Sequence, residues 1–248
     1  MKEKIHTIPV NEGFDSGDEC PFCYMEREVE RRALRFVAGP GASYMEPDVR
    51  AATNRMGFCP QHMQKLYDYG NTLGAALILQ SHYDELLEEL HENAGNRKVQ
   101  KKSLFQKKQP QTGELYWQRL EKRVGSCYIC DKIGGNMDRY YDTFFYLLKE
   151  PEFRAKVEGC KGFCLRHLSG ILAREEKIPG SQQEWFRDTV IPKAEAELLR
   201  VKKDLDWLIA KHDYRNAKAD WGNSRDALPR TMQKLAGIHP TDKPYKGE

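Results

Sequence analysis

Apolar side chains recur along this chain at helical intervals. After Cys23, Met25, Val29, Ala33 and Phe36 follow steps of 4, 4 and 3; after Cys130, Ile133, Met137, Tyr140, Phe144 and Leu147 follow steps of 4, 3, 4 and 3. Such steps keep side chains on one face of a helix. Gly39-Pro40-Gly41 should end the first of these helices and Glu150-Pro151 the second. Pro47 and Pro151 suit the first position of a short helix, with Asp48 and Glu152 at the positive end of its dipole. Gly57 and Gly162 should stop those short helices. Longer helices are expected over roughly Met63 to Glu92, with Leu79, Tyr83, Leu86 and Leu90 on one face, and along Phe186, Val190, Ala194, Leu198, Val201, Leu205 and Leu208. Pro192 should kink or divide the latter. No segment alternates as a strand would, so the expected class is all-α.

The same elements occur twice in one order. Cys20-Pro21-Phe22-Cys23, Glu46-Pro47-Asp48-Val49-Arg50-Ala51 and Gly57-Phe58-Cys59-Pro60-Gln61-His62 form the first copy. Cys127-Tyr128-Ile129-Cys130, Glu150-Pro151-Glu152-Phe153-Arg154-Ala155 and Gly162-Phe163-Cys164-Leu165-Arg166-His167 form the second. Second and third cysteines are 36 positions apart in one copy and 34 in the other, which marks an internal duplication. The domain plan is a helical module over residues 1–92, a basic linker over 93–113, a second module over 114–212 and a tail over 213–248. Tyr214 and Trp221 should pack part of that tail, with the chain from Thr241 onward disordered. The linker carries Arg97, Lys98, Lys101, Lys102, Lys107 and Lys108 without periodicity. It reads as a solvated connection, with a contact surface for an acidic partner as the alternative.

Composition adds solubility and a redox setting. Charged residues make up 31% of the 248, hydrophobic residues 40%, and mean hydropathy is −0.76. No run approaches the ~18 apolar residues that cross a bilayer. No apolar core follows Met1-Lys2-Glu3-Lys4 as in a secretion signal, so a cytoplasmic location is expected. The seven cysteines should then be reduced, which favours metal or thiol chemistry over disulfides. A net charge of +3 is too balanced to indicate a dedicated nucleic-acid face.

The chemistry concentrates in the paired motifs. A C-x-x-C turn can aim two sulfurs at one ion, and here each pair opens a helix, whose dipole favours thiolate. The C-x-x-H pair does the same at the start of a later helix. Each copy is therefore expected to close its own tetrahedral site: Cys20, Cys23, Cys59 and His62 in the first, Cys127, Cys130, Cys164 and His167 in the second. Two zinc ions per chain are the expected cofactors, with iron–sulfur clusters as the alternative. Inert buried cysteines would explain one or two thiols but not two matched quartets. A thioredoxin-like pair at Cys20 and Cys23 would need a βαβ setting, which the pattern lacks. Cys160 aligns near Arg55 and is left over. His82 and His91 fall on a predicted helix and read as surface or packing residues.

These motifs, with the closing segment Lys211-His212-Asp213-Tyr214-Arg215 and Asp220-Trp221-Gly222, resemble a bacterial family frequent in Firmicutes such as Clostridia and collected as a domain of unknown function. The resemblance spans nearly the whole chain. It implies the same eight ligands and no established activity. Four ligands per site leave no open position, so a scaffold or interaction protein with a protein partner is the favoured role. A nucleic-acid-binding zinc protein would rest on the basic linker and on Arg27, Arg31, Arg32 and Arg35. Against it, Glu26, Glu28 and Glu30 interleave with these arginines as in a salt-bridged surface. A redox sensor or an enzyme is the third reading; no Ser-His-Asp pattern, phosphate-cradling loop or H-E-x-x-H motif supports it.

Overall fold

The computed structural model describes residues 4–41, 43–95, 116–238 and 240. Among these there are eleven α-helices and no strand: α1 (Lys4–Asp15), α2 (Pro21–Ala38), α3 (Pro47–Met56), α4 (Pro60–Asp68), α5 (Thr72–Gly95), α6 (Tyr116–Val124), α7 (Tyr128–Leu147), α8 (Pro151–Gly159), α9 (Leu165–Leu172), α10 (Gln183–Ala210) and α11 (Ala227–Ala236). The protein is all-α. Pro47 and Pro151 occupy the first turns of α3 and α8, as expected. Gly57 caps α3 at φ +60. The final segment from Thr241 and residues 96–113 of the expected linker lie outside the described residues.

The chain divides into two compact units, each drawn from both copies of the repeat. One comprises Met1–Val29 with Gly134–Lys243; the described part of the other lies in Glu30–Ile133. The first unit is built on aromatic packing. Phe22 stacks on Tyr141 with ring centroids 4.7 Å apart, and Phe14 stacks on Phe144 at 5.8 Å. Phe153 and Phe163 meet these rings edge-on, and Phe22, Phe144 and Phe163 are fully buried. Phe186, Val190, Ala194 and Val201 form the buried stripe of α10. In the second unit Leu34, Val37 and Ala38 of α2 pack with Leu66, Tyr69, Ile78, Cys127, Tyr128 and Ile129.

Four expectations need correction. The helix over Met63–Glu92 starts earlier, at Pro60, and is broken between Asp68 and Thr72, where Gly70 takes φ +90. The buried line of α5 runs through Ile78, while Tyr83 and Leu90 are exposed. α10 is continuous through Pro192, which neither divides it nor starts a new helix, with Val190 and Ala194 buried on either side. In the tail, Tyr214 is exposed, whereas Trp221 is half-buried under Lys211 Nζ, 5.0 Å from its ring. The tail also contains α11, whose inward face is polar: Arg230, Gln233 and Lys234 are buried. An apolar-periodicity search looks for the opposite arrangement.

Candidate metal centres

Each unit gathers one group of four ligands. In the first, Cys20, Cys23, Cys164 and His167 place their donor atoms within 4.8 Å of one another; in the second, Cys59, His62, Cys127 and Cys130 do the same. All eight residues singled out by the repeat thus enter a cluster. The expected pairing is wrong, however. Each C-x-x-C meets the C-x-x-H of the other copy, not of its own.

The lengths of the helices explain the exchange. α2 has 18 residues, about 27 Å, while α3 has 10, about 15 Å. His62, three residues after Cys59, meets Glu30 in the middle of α2, and not the thiols at its start. The second copy repeats this, with 20 residues in α7 and 9 in α8. There the end of α9 lies against mid-α7, and Arg174 bonds Asp138 at 2.7 Å.

The ligands sit at helix starts. Cys20 immediately precedes α2 and Cys127 immediately precedes α7, so Cys23 and Cys130 lie in the first turns. Cys59 and Cys164 are the N-caps of α4 and α9, which places His62 and His167 in those first turns. The Cys164 sulfur accepts the His167 backbone N–H at 3.4 Å, and that of Cys127 accepts the Cys130 N–H at 3.5 Å. N–H groups aimed at sulfur favour the thiolate.

The geometry suits a single ion. His167 Nδ1 lies 3.5, 3.4 and 3.2 Å from the sulfurs of Cys20, Cys23 and Cys164, and the sulfurs of Cys23 and Cys164 are 3.6 Å apart. His62 Nδ1 lies 3.2, 3.4 and 3.3 Å from the sulfurs of Cys59, Cys127 and Cys130, and Cys59 and Cys130 are 3.9 Å apart. Tetrahedral bonds of ~2.3 Å to sulfur and ~2.0 Å to nitrogen put neighbouring ligand atoms roughly 3.5–3.8 Å apart. All seven cysteines are free thiols.

Both imidazoles turn Nδ1 to the sulfurs and Nε2 to a carboxylate. His62 Nε2 meets Glu30 at 2.9 Å, and His167 Nε2 lies 3.4 Å from Glu26. Lys65 Nζ holds Glu30 at 2.6 Å, and Arg166 grips Glu26 through two bonds. A carboxylate behind a ligating histidine fixes its tautomer and orients the ring. Sequence reasoning placed Glu26 and Glu30 on a salt-bridged surface. The available signal was their register, three and seven residues after Cys23, on the same helix face as that ligand. Arg27, by contrast, is engaged by Asp18.

Both imidazoles are raised by the thiols and carboxylates around them. Burial pulls the His62 imidazole down, but contacts with Cys127 and Glu30 outweigh it and raise the group to about 10. His167 is raised in the same way to about 11, through Cys164, Cys20 and Glu26. Burial pushes the Cys127 thiol up, and His62 with nearby N–H groups brings it down to about 6. Partial desolvation of its sulfur within the cluster raises Cys130 to about 12, with Cys127 and Cys59 beside it adding to the effect. Cys160 joins neither cluster; its sulfur accepts the Gly162 N–H at 3.4 Å and burial raises its thiol. His82 is a packing residue, with Nδ1 2.7 Å from the Asn54 carbonyl.

The family of unknown function DUF6062 matches residues 1–242. The chain belongs to the DUF6062 family. This DUF6062 protein is also similar to an uncharacterised 23.9 kDa protein from the xynA 3′ region of Caldicellulosiruptor sp. (strain Rt8B.4), at 23% identity over 201 residues, 80% of this chain and 85% of the relative. No solved structure matches it. Among the described residues no helix is long and apolar enough to cross a membrane.

Proposed function

We propose that this DUF6062 protein is a non-catalytic interaction module fastened by two structural zinc ions. The observation that carries this is the pair of closed Cys3His sets, each with a carboxylate behind its histidine. The close grouping of donors supports zinc over an iron–sulfur cluster. Ligands of a multi-iron cluster bind different irons and are therefore spread wider than four donors sharing one ion. Each site ties together helices from both copies, so metal affinity becomes folding energy. Support for a protein partner comes from α11, whose outer face carries Leu228, Met232 and Leu235, 40–58% exposed at helical spacing, with Ile238 just beyond.

The test is metal analysis of protein purified without added metal, followed by chelation. Two zinc ions per chain are expected, and their removal should collapse the helical circular dichroism. A stoichiometric iron–sulfide content, or unchanged helicity in a metal-free sample, overturns the proposal.

A further inference from the structure

The two clusters meet solvent differently. Cys20, Cys23, Cys164 and His167 are all buried, whereas in the other set Cys59 is half-buried and Cys130 is exposed.

α11 closes the first set on one side, with Phe22 packed beside His167 on another. Lys234, 1% exposed, donates from Nζ to the Glu19 carbonyl at 2.6 Å and to the Lys161 carbonyl, and lies 3.3 Å from the Glu19 carboxylate. Those residues lead directly into Cys20 and into Gly162-Phe163-Cys164. Gln233 Nε2 donates to Asp18 Oδ1 at 2.5 Å, and that oxygen also accepts the Cys20 N–H at 3.0 Å. Just past the helix, the Gly237 carbonyl is 3.8 Å from the Cys23 sulfur. One short helix therefore ties both ligand-bearing loops of this centre together. A reagent reaches a buried sulfur only after local opening, and that opening must break these bonds. Cys130 requires no such event.

We infer that the two centres are kinetically unequal. The Cys20–Cys23–Cys164–His167 centre is a permanent fastening locked by Lys234 and α11. The Cys59–His62–Cys127–Cys130 centre exchanges its ion and reacts with soft electrophiles, through the Cys130 sulfur. With a maleimide, that sulfur forms a C–S bond to one alkene carbon. The alkene electron pair moves to the neighbouring carbon, which takes a proton from water. The product is a neutral thioether and a weak ligand, so the metal–sulfur bond breaks and the ion leaves a three-donor site. This inference rests on the zinc reading above.

The experiment uses the full chain loaded with zinc. Metal analysis comes first: fewer than two ions defeats the zinc reading itself. With two ions present, an excess of a chromophoric chelator is added and release is followed. Separately, substoichiometric N-ethylmaleimide is added, and the labelled ligand cysteines are located by digestion and mass spectrometry. One equivalent should leave at least about tenfold faster than the other, as expected for direct access against access through local opening. Cys130 should be alkylated before Cys20, Cys23 or Cys164. Lys234→Met should accelerate the slow phase and leave the fast one unchanged. If that variant does not fold, the phases and the labelling order of the unaltered protein decide alone. Release of both ions in one phase, or labelling of Cys20, Cys23 or Cys164 together with Cys130, overturns the inference.

Discussion

Glu30 shows what one side chain does at these centres. It is 8% exposed on a helix rich in charge, and it is held between His62 and Lys65. Burial pushes its carboxyl up, but the bonds to His62 and Lys65 outweigh this and keep it below its ordinary value. Glu30→Gln retains the shape and loses the charge. It should weaken zinc binding at the second centre roughly 10- to 100-fold, the usual effect of removing a carboxylate behind a ligating histidine. Competition with a chelator of known affinity measures this; unchanged affinity would show that Glu30 does not support His62 as a ligand. The same ligands set a pH dependence. In the ion-free protein His62 lies near 10, above its ordinary 6.5. Protonation of His62 therefore stabilises the ion-free fold fully below 6.5, and that contribution is lost as pH rises through about 10. On the zinc reading proposed above, the ion must displace this proton, so its affinity should rise with pH, by about tenfold per unit for each proton released. Titrations between pH 6.5 and 8.5 would show the slope, and a flat profile would contradict it.

At the scale of elements, the loops before the C-x-x-H helices each turn on a glycine of positive φ, Gly57 and Gly162. Gly57 sits at φ +60 and ψ −153, a region essentially reserved for glycine. A Cβ there would meet the His82 ring at 3.1 Å. Its carbonyl also accepts the Tyr128 N–H at 2.9 Å, joining the loop before Cys59 to the turn that holds Cys127. Gly57→Ala should cost about 1–3 kcal/mol. Urea unfolding would register it as a lower midpoint, and an unshifted midpoint would mean the loop adapts freely. α11 shows the limit of pattern reading. Its buried face is polar because its task is to bond carbonyls and carboxylates of two loops, and hydrophobic periodicity assigns that face to solvent.

For the whole molecule, the exchanged pairing has a direct consequence. Residues 1–95 contain Cys20, Cys23, Cys59 and His62, which are halves of two different centres; residues 116–248 contain the complementary halves. Produced separately with zinc, neither piece should reach native helicity. Mixed in equal amounts, they should recover it together with two ions per pair. Circular dichroism and metal analysis of the mixture test this. Native helicity with one tightly held ion in either isolated piece would restore the pairing within each copy.

The helices after Cys23 and Cys130, the proline starts of α3 and α8, and the eight Cys and His residues that the two clusters gather were legible in the chain, because each signal lies among neighbours a few residues apart. A C-x-x-C turn or a C-x-x-H turn aims two donors at one point whatever lies elsewhere. Which turn faces which is a different kind of question. Either pairing offers three thiolates and one imidazole to each ion, so ligand chemistry does not choose between them. The choice falls to long-range packing: the unequal lengths of α2 and α3, of α7 and α8, and the aromatic core around Phe22 and Phe144. Burial of all four donors at one centre and exposure of Cys130 at the other follow from the same tertiary arrangement, since both motifs present the same donor types at the same spacing.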